Sequence, residues 1–167
     1  MHKAFLLLGS NANSDTYIRI GKDLILATFD VLKCSDIYET RSTLNASKTF
    51  LNMGILIATT FTPQFLKQNK LDEIEKHING IDVIKKHDPR ALDIDLCLFD
   101  NSVFRDSVCN IPDPDILTRH FKAYILSQLE PDYIFPGTKT SLSDYVKAFS
   151  SYDKKDIRHY DQVNISR

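Results

Sequence analysis

Hydrophobic and polar positions along the chain fall into short blocks whose period changes from two to about three and a half. Residues 4–8, AFLLL, form an apolar run halted by GSNANS, the pattern of a buried strand entering a turn where Asn13, Ser14 or Asp15 can cap a helix. From Tyr17 to about Leu32, the positions Ile18, Leu24, Ile25, Ala27, Phe29 and Leu32 fit one helical face, with Gly21 a mild internal penalty. CSDIYET (34–40) alternates like a strand, RSTLNASKT (41–49) reads as a polar loop, and FLNMGILIATT (50–60) is a long strand rich in apolar and β-branched residues. Pro63 opens a helix running to Ile78, with Phe65, Leu66, Leu71, Ile74 and Ile78 inward, and Asn79 with Gly80 ends it. A loop over 81–90 leads to the strand ALDIDLCLFD (91–100), with NSVFRD as a small hairpin partner turned at Asp100 and Asn101. NIPDPD (110–115) is a proline-set turn into a helix over ILTRHFKAYILSQL, a last helix covers 141–149, and the residues from about 150 predict a poorly ordered polar tail.

That order, β-α-β-β-α-β followed by C-terminal helical additions, is the ferredoxin-like one. It predicts an α+β fold in a single domain over 1–167, with helices on one face of an antiparallel sheet. The other face is then covered by loops and the tail, or used.

Composition narrows the function classes. At 167 residues, 43% hydrophobic and 26% charged, the chain is long enough for one core without staples. With 21 basic against 22 acidic residues the formal net charge is −1, so no global field draws the protein to nucleic acid or an anionic membrane, and neither partner is expected. An anionic ligand must therefore be held by a local cluster. Cys34, Cys97 and Cys109 form no CxxC pair, which predicts reduced thiols in a cytoplasmic protein rather than a disulfide framework or zinc knuckle. No stretch approaches the roughly 20 apolar residues of a membrane helix. GxxxxGK[ST] and GxGxxG are both absent, and the five histidines show no metal-ligand spacing.

The chemistry concentrates in DPRALDIDLCLF (88–99). In a strand, Asp93 and Asp95 project to one face about 6–7 Å apart, while Leu92, Ile94, Leu96 and Leu98 point to the other, core side. Side-by-side carboxylates raise each other's pKa unless a cation intervenes, and Mg²⁺ takes one or two protein carboxylates with the rest of its shell from water and phosphate. Lys85, Lys86, His87 and Arg90 stand immediately upstream as partners for phosphate oxygens, which reads as a magnesium-nucleotide or phosphoryl-transfer site. An Asp-x-Asp on the solvent face of an antiparallel strand has the same spacing, so spacing alone leaves both readings open.

The segment resembles the signature of the 6-hydroxymethyl-7,8-dihydropterin pyrophosphokinase family of folate biosynthesis, roughly RWGPRxLDLDIxxF. Further similarities follow in order: LLLGSN near the start, FLN opening the third strand, Glu75 on the second helix, and IPDPDILTRHF where the family has Pro-His-Pro and Arg-x-Phe. The resemblance implies transfer of the terminal diphosphate of ATP to the hydroxymethyl group of a pterin, releasing AMP. By position it implies Asp93 and Asp95 as ligands of two Mg²⁺ ions, and Arg90 and Arg119 as phosphate contacts. It also implies Glu75 at the nucleotide, Asn52 on the amide-like edge of the pterin, Phe50 and Phe121 against its ring, and Thr40 at the pterin loop.

Some family positions differ. Basic residues of the family correspond here to about Gly80, Asp82 and Val108, the Trp-Gly before Pro-Arg is His87-Asp88, and the Pro-His-Pro histidine is Asp113. Lys85 and Lys86 can take over part of the charge as nucleotide contacts, while Asp113 is repulsive to a triphosphate unless it binds metal. Three functions are therefore separable by assay: an ATP- and Mg²⁺-dependent pterin pyrophosphokinase, a homologue that binds pterin or nucleotide without turnover, and an unrelated metal-dependent nuclease, against which the absence of a basic stripe weighs.

Overall fold

The computed structural model describes residues 1–11, 15–41, 48–80, 91–149 and 156–160. Its centre is a six-stranded sheet. The apolar run at the start becomes β1 (His2–Asn11), flanked antiparallel by β4 (Thr49–Thr59) and β5 (Leu92–Phe99). The far side of β4 carries β2 (Asp30–Cys34) at one end and β3 (Tyr38–Arg41) at the other. Between them Ser35 exchanges bonds with Gly54, its amide donating to the Gly54 carbonyl and its Oγ accepting from the Gly54 amide, both at 2.9 Å.

Alternation along the strands divides the core into two layers. Ala4, Leu6, Leu8, Leu51, Met53, Ile55 and Ile57 face α1 (Thr16–Thr28), α2 (Pro63–Leu66) and α3 (Asp72–Asn79). Phe5, Leu7 and Leu56 face α4 (His120–Ser127) and α5 (Leu142–Lys147), so the C-terminal helical additions cover the second face of the ferredoxin-like sheet. A Cβ at Gly54 would meet Ile125 Cγ2 at 3.0 Å and Leu129 Cδ1 at 3.1 Å, so α4 lies directly on the sheet there.

Several expectations are corrected in detail. The first helix stops at Thr28, and Phe29 is extended because residues 30–34 pair with β4, which turns the segment expected as helix to Leu32 into strand and leaves Leu32 48% exposed. The helix from Pro63 contains a π-turn, Lys67–Leu71, so its inward positions run Leu66, Leu71, Ile74, Ile78 with a first step of five residues. Phe65 is thereby turned out and rests on Phe61, ring centroids 4.9 Å apart. Leu98 joins the α4 layer rather than that of Leu92, Ile94 and Leu96. The register with β1 slips between Phe5↔Leu98 and Leu6↔Leu96, a bulge that inserts Cys97 and reverses the alternation.

The turn falls at Asp100, whose φ is 44°, but β6 (Phe104–Arg105) pairs with β7 (Asn110–Ile111) and not with β5. The helix expected from Ile116 is interrupted. A 3₁₀ turn, Pro114–Ile116, capped by Asp113 accepting from the Asp115 amide, is followed by an extended Arg119 before α4 begins. The tail is not wholly irregular either, since Ile157–His159 forms β8 on the free edge of β3. Asn13, Ser14 and most of the polar loop over 41–49 lie outside the described residues, and Asp15 occupies the helix N-cap without a side-chain cap bond.

β5 is an edge strand, and side chains from the π-turn and α3 finish it. Asn79 Oδ1 accepts from the Ala91 amide at 2.8 Å and the Leu92 amide at 3.1 Å, while its Nδ2 donates to the Leu92 carbonyl at 3.0 Å. Asn79→Ala returns all three groups to water and is expected to lower the unfolding free energy by about 1–3 kcal/mol. The check is a lower urea midpoint with an unchanged denaturant slope.

Candidate active site

Cross-strand register builds the floor of the site. Asp93 on β5 pairs with Gly9 on β1, Gly9 with Asn52 on β4, and Asn52 with Tyr38 on β3. Directly opposed residues share a face, so Asp93 and Asn52 look the same way from strands about 10 Å apart, with only a glycine between them. Thr40 pairs with Phe50 in the neighbouring row. All lie on the α4 face, where Asp93 is exposed and Phe50 is 36% exposed. Asn52 is buried, and its Nδ2 donates to Thr40 Oγ1 at 2.8 Å, which orients the amide.

The strand places Asp95 beside Asp93 on that face, and both line a cavity of about 440 Å³ together with Val108, Asp113, Arg119 and Lys122. Lys122 is the residue that the sequence reading missed. Its Nζ donates to Asp95 Oδ2 at 2.7 Å and to Asp113 Oδ2 at 2.6 Å. The lysine side chain is only 5% exposed, against 39% for Asp95 and 15% for Asp113. Burial pulls the ammonium pKa down, but the neighbouring Cys97, Asp95 and Asp113 outweigh it, so the net shift is upward and Lys122 stays charged through the neutral range. Asp113 is held in place by its amide, which donates to the Cys97 carbonyl at 2.8 Å, and by Oδ1, which accepts from the Asp115 amide at 2.9 Å.

At the edge of β5, Glu75 Oε1 accepts from the Ile94 amide at 2.9 Å and from Lys67 Nζ at 2.9 Å. Lys67 also donates to the Ile94 carbonyl at 2.9 Å and pairs with Asp72 at 3.1 Å. Burial raises the Glu75 pKa, more than Lys67 and the Ile94 amide lower it, and the charge of Asp93 adds to the rise. The π-turn is what aims Lys67, a second cation that the sequence reading passed over, into the same cavity as Asp93.

Of the residues singled out in the sequence, Asp93, Asp95 and Arg119 come together around the cavity, with Arg119 Nε 3.1 Å from Asp115 Oδ2. Thr40, Phe50 and Asn52 share the same sheet face beside it, Phe121 lies in the first turn of α4 next to Lys122 and packs partly into the α4 layer, and Glu75 borders Asp93 from the strand edge. Arg90, Lys85 and Lys86 lie outside the described residues. Val108, where the family pattern has a basic residue, does line the cavity, so an apolar side chain stands where a phosphate contact was expected.

The donor set fits a hard cation. Among the described residues no group of three or more His, Cys, Asp or Glu side chains is arranged to cage a metal. Two carboxylates on one face of an open cavity instead match an ion that completes its shell with water and phosphate oxygens, as Mg²⁺ does. Also among the described residues, no helix is long and apolar enough to cross a membrane.

Fold and site together define a ferredoxin-like domain with a polar cavity on the sheet face at the N-terminal end of α4. A profile described as 7,8-dihydro-6-hydroxymethylpterin-pyrophosphokinase matches residues 5–131, and the chain belongs to that family. It is 29% identical over 147 residues to the 2-amino-4-hydroxy-6-hydroxymethyldihydropteridine pyrophosphokinase of Aquifex aeolicus, covering 87% of this chain and 91% of the relative. The protein of the same name from Synechocystis is 26% identical, with 87% and 75% covered. The folic acid synthesis protein fol1 of Schizosaccharomyces pombe is 30% identical over 92% of this chain, which spans 22% of that longer protein. Among solved structures, a HPPK-DHPS in complex with substrates superposes with a TM-score of 0.70 at 12% identity, and Plasmodium falciparum HPPK-DHPS with 0.68 at 12%. Each alignment covers 95% of this chain, which spans about half the length of those proteins (48% and 46%). The family is one of pyrophosphokinase transferases in folate biosynthesis, and the binding-only alternative is not favoured.

Proposed function

We propose that this chain transfers diphosphate from ATP to 6-hydroxymethyl-7,8-dihydropterin and releases AMP, using Asp93 and Asp95 to hold two Mg²⁺ ions. The observation that carries the reading is the row Asp93–Gly9–Asn52, with Asp95 two residues along the same strand, which gives a carboxylate pair and an amide on one sheet face at a separation suited to a pterin bearing a hydroxymethyl arm. Asn52, oriented by Thr40, bonds the amide-like edge of the pterin, and Phe50 and Phe121 offer ring faces. Arg90 and Arg119 contact phosphates, with Lys85 and Lys86 as further nucleotide contacts and Glu75 bordering the nucleotide. Magnesium, when bound, supplies neutralisation of the triphosphate charge and lowers the cost of ionising the acceptor hydroxyl. In the transfer, the hydroxymethyl oxygen bonds to the β-phosphorus as the bond from that phosphorus to the oxygen shared with the α-phosphorus breaks. AMP leaves with that oxygen, and the hydroxyl proton is released.

Two measurements test this reading. Purified protein with ATP, MgCl₂ and hydroxymethyldihydropterin is expected to release AMP only when the pterin is present, and AMP formation that ignores the pterin counts against the acceptor. Asn52→Ala is expected to raise KM for the pterin about tenfold, the loss of one or two buried hydrogen bonds, with KM for ATP unchanged. Equal shifts in both constants would remove Asn52 from pterin recognition.

A further inference from the structure

We propose that Lys122 is a positioning residue acting as a resident counter-cation of the site: it engages Asp95 through Oδ2, neutralises Asp113, and keeps divalent-cation affinity low until nucleotide phosphates arrive. This rests on the reading of Asp93 and Asp95 as metal carboxylates. The geometry is specific, because one almost fully buried nitrogen stands within 2.7 Å of Asp95 and 2.6 Å of Asp113, while Asp95 keeps access to the cavity that Asp93 also lines. Four carboxylates, Asp93, Asp95, Asp113 and Asp115, line the cavity and repel a triphosphate, and beyond Lys67 and Arg119 the lining residue Val108 adds no charge to offset them. An ammonium fixed behind Asp95 does offset them, at a depth where its charge is poorly screened.

The same ammonium competes with a metal ion for the same carboxylate. Bonding to Oδ2 lowers the negative potential that draws a divalent cation and leaves Oδ1 as the oxygen to be shared with it. In the nucleotide-free protein the cavity lining, Asp93, Asp95, Asp113 and Asp115 against Lys67, Arg119 and Lys122, is therefore close to charge balance and binds metal weakly. A triphosphate supplies the missing negative charge, so metal and nucleotide enter together. Lys122 thereby also explains how Asp113 is tolerated here: it is the second partner of a lysine, in a site that needs the lysine.

The test is Mn²⁺ binding to the full chain without nucleotide, followed by electron paramagnetic resonance, in the wild type and in Lys122→Met, Asp113→Asn, Asp113→Asn/Lys122→Met and Asp95→Asn. Lys122→Met is expected to bind Mn²⁺ about tenfold more tightly than the wild type, and the double variant about tenfold more tightly than Asp113→Asn. The second pair measures the same ammonium without leaving Asp113 charged and unpaired, so it carries the test if Lys122→Met does not fold. Affinities that are unchanged or weaker on removing Lys122, while Asp95→Asn still abolishes binding, would overturn the counter-cation role and leave the metal reading standing. Binding that survives Asp95→Asn would overturn both.

Discussion

Asp95→Asn is expected to lower kcat on the order of 10³-fold, the scale lost when a group that stabilises transition-state charge is removed from a site built around it. The substitution keeps the shape of the side chain and leaves Lys122 its second partner, Asp113, so stability changes little while the charge proposed to recruit metal is gone. Steady-state rates measured across a MgCl₂ series check the origin of the loss. Excess metal is expected to restore only part of the rate, and a variant as fast as the wild type at ordinary MgCl₂ would take Asp95 out of the chemistry.

Lys122→Met alone is expected to cost about 3 kcal/mol of unfolding free energy, because removing the shared cation leaves the largely covered Asp113 carboxylate with no ionic partner. Asp95 contributes less of that cost, since at 39% exposure water screens it. Lys122→Met/Asp113→Asn is expected to recover most of the loss, giving a double-mutant coupling of about 2 kcal/mol. Denaturant melts of the four proteins check this, and additive effects would mean that the two residues do not act as a unit. Removing the cation is thus predicted to weaken the fold and to strengthen metal binding at once, a combination that damage to packing alone does not produce.

Much of this is legible in the sequence alone. The apolar runs at 4–8 and 50–60 and the alternation at 92–96 mark β1, β4 and β5 because strands buried on both faces or on one leave little else to read. The carboxylate pair and Asn52 stood out as polar residues inside those runs. Other features depended on partners distant in sequence. Phe29 to Leu32 satisfy a helical pattern as well as a strand, and only pairing with β4 decides between them. Ile157–His159 is too short to read alone and becomes a strand because β3 offers an edge. The five-residue step from Leu66 to Leu71 was visible, but a 3.6-residue template placed Phe65 inward instead.

Lys122 could have been found. It lies three and four residues before Ile125 and Leu126, on the buried stripe of α4, and a lysine there requires an anionic partner. Asp113 was the unmatched carboxylate available to answer it. Asp113, which stands where the family pattern has a histidine, and Lys122, the cation that neutralises it, thus form one pair.

The central claim, diphosphate rather than monophosphate transfer to a pterin, is tested most directly by phosphorus NMR of a reaction of the purified chain with ATP, MgCl₂ and 6-hydroxymethyl-7,8-dihydropterin. The account predicts AMP and a pterin diphosphate appearing in equal amounts as ATP is consumed. ADP accompanied by a pterin monophosphate, or ATP unchanged while the pterin is bound, would contradict it.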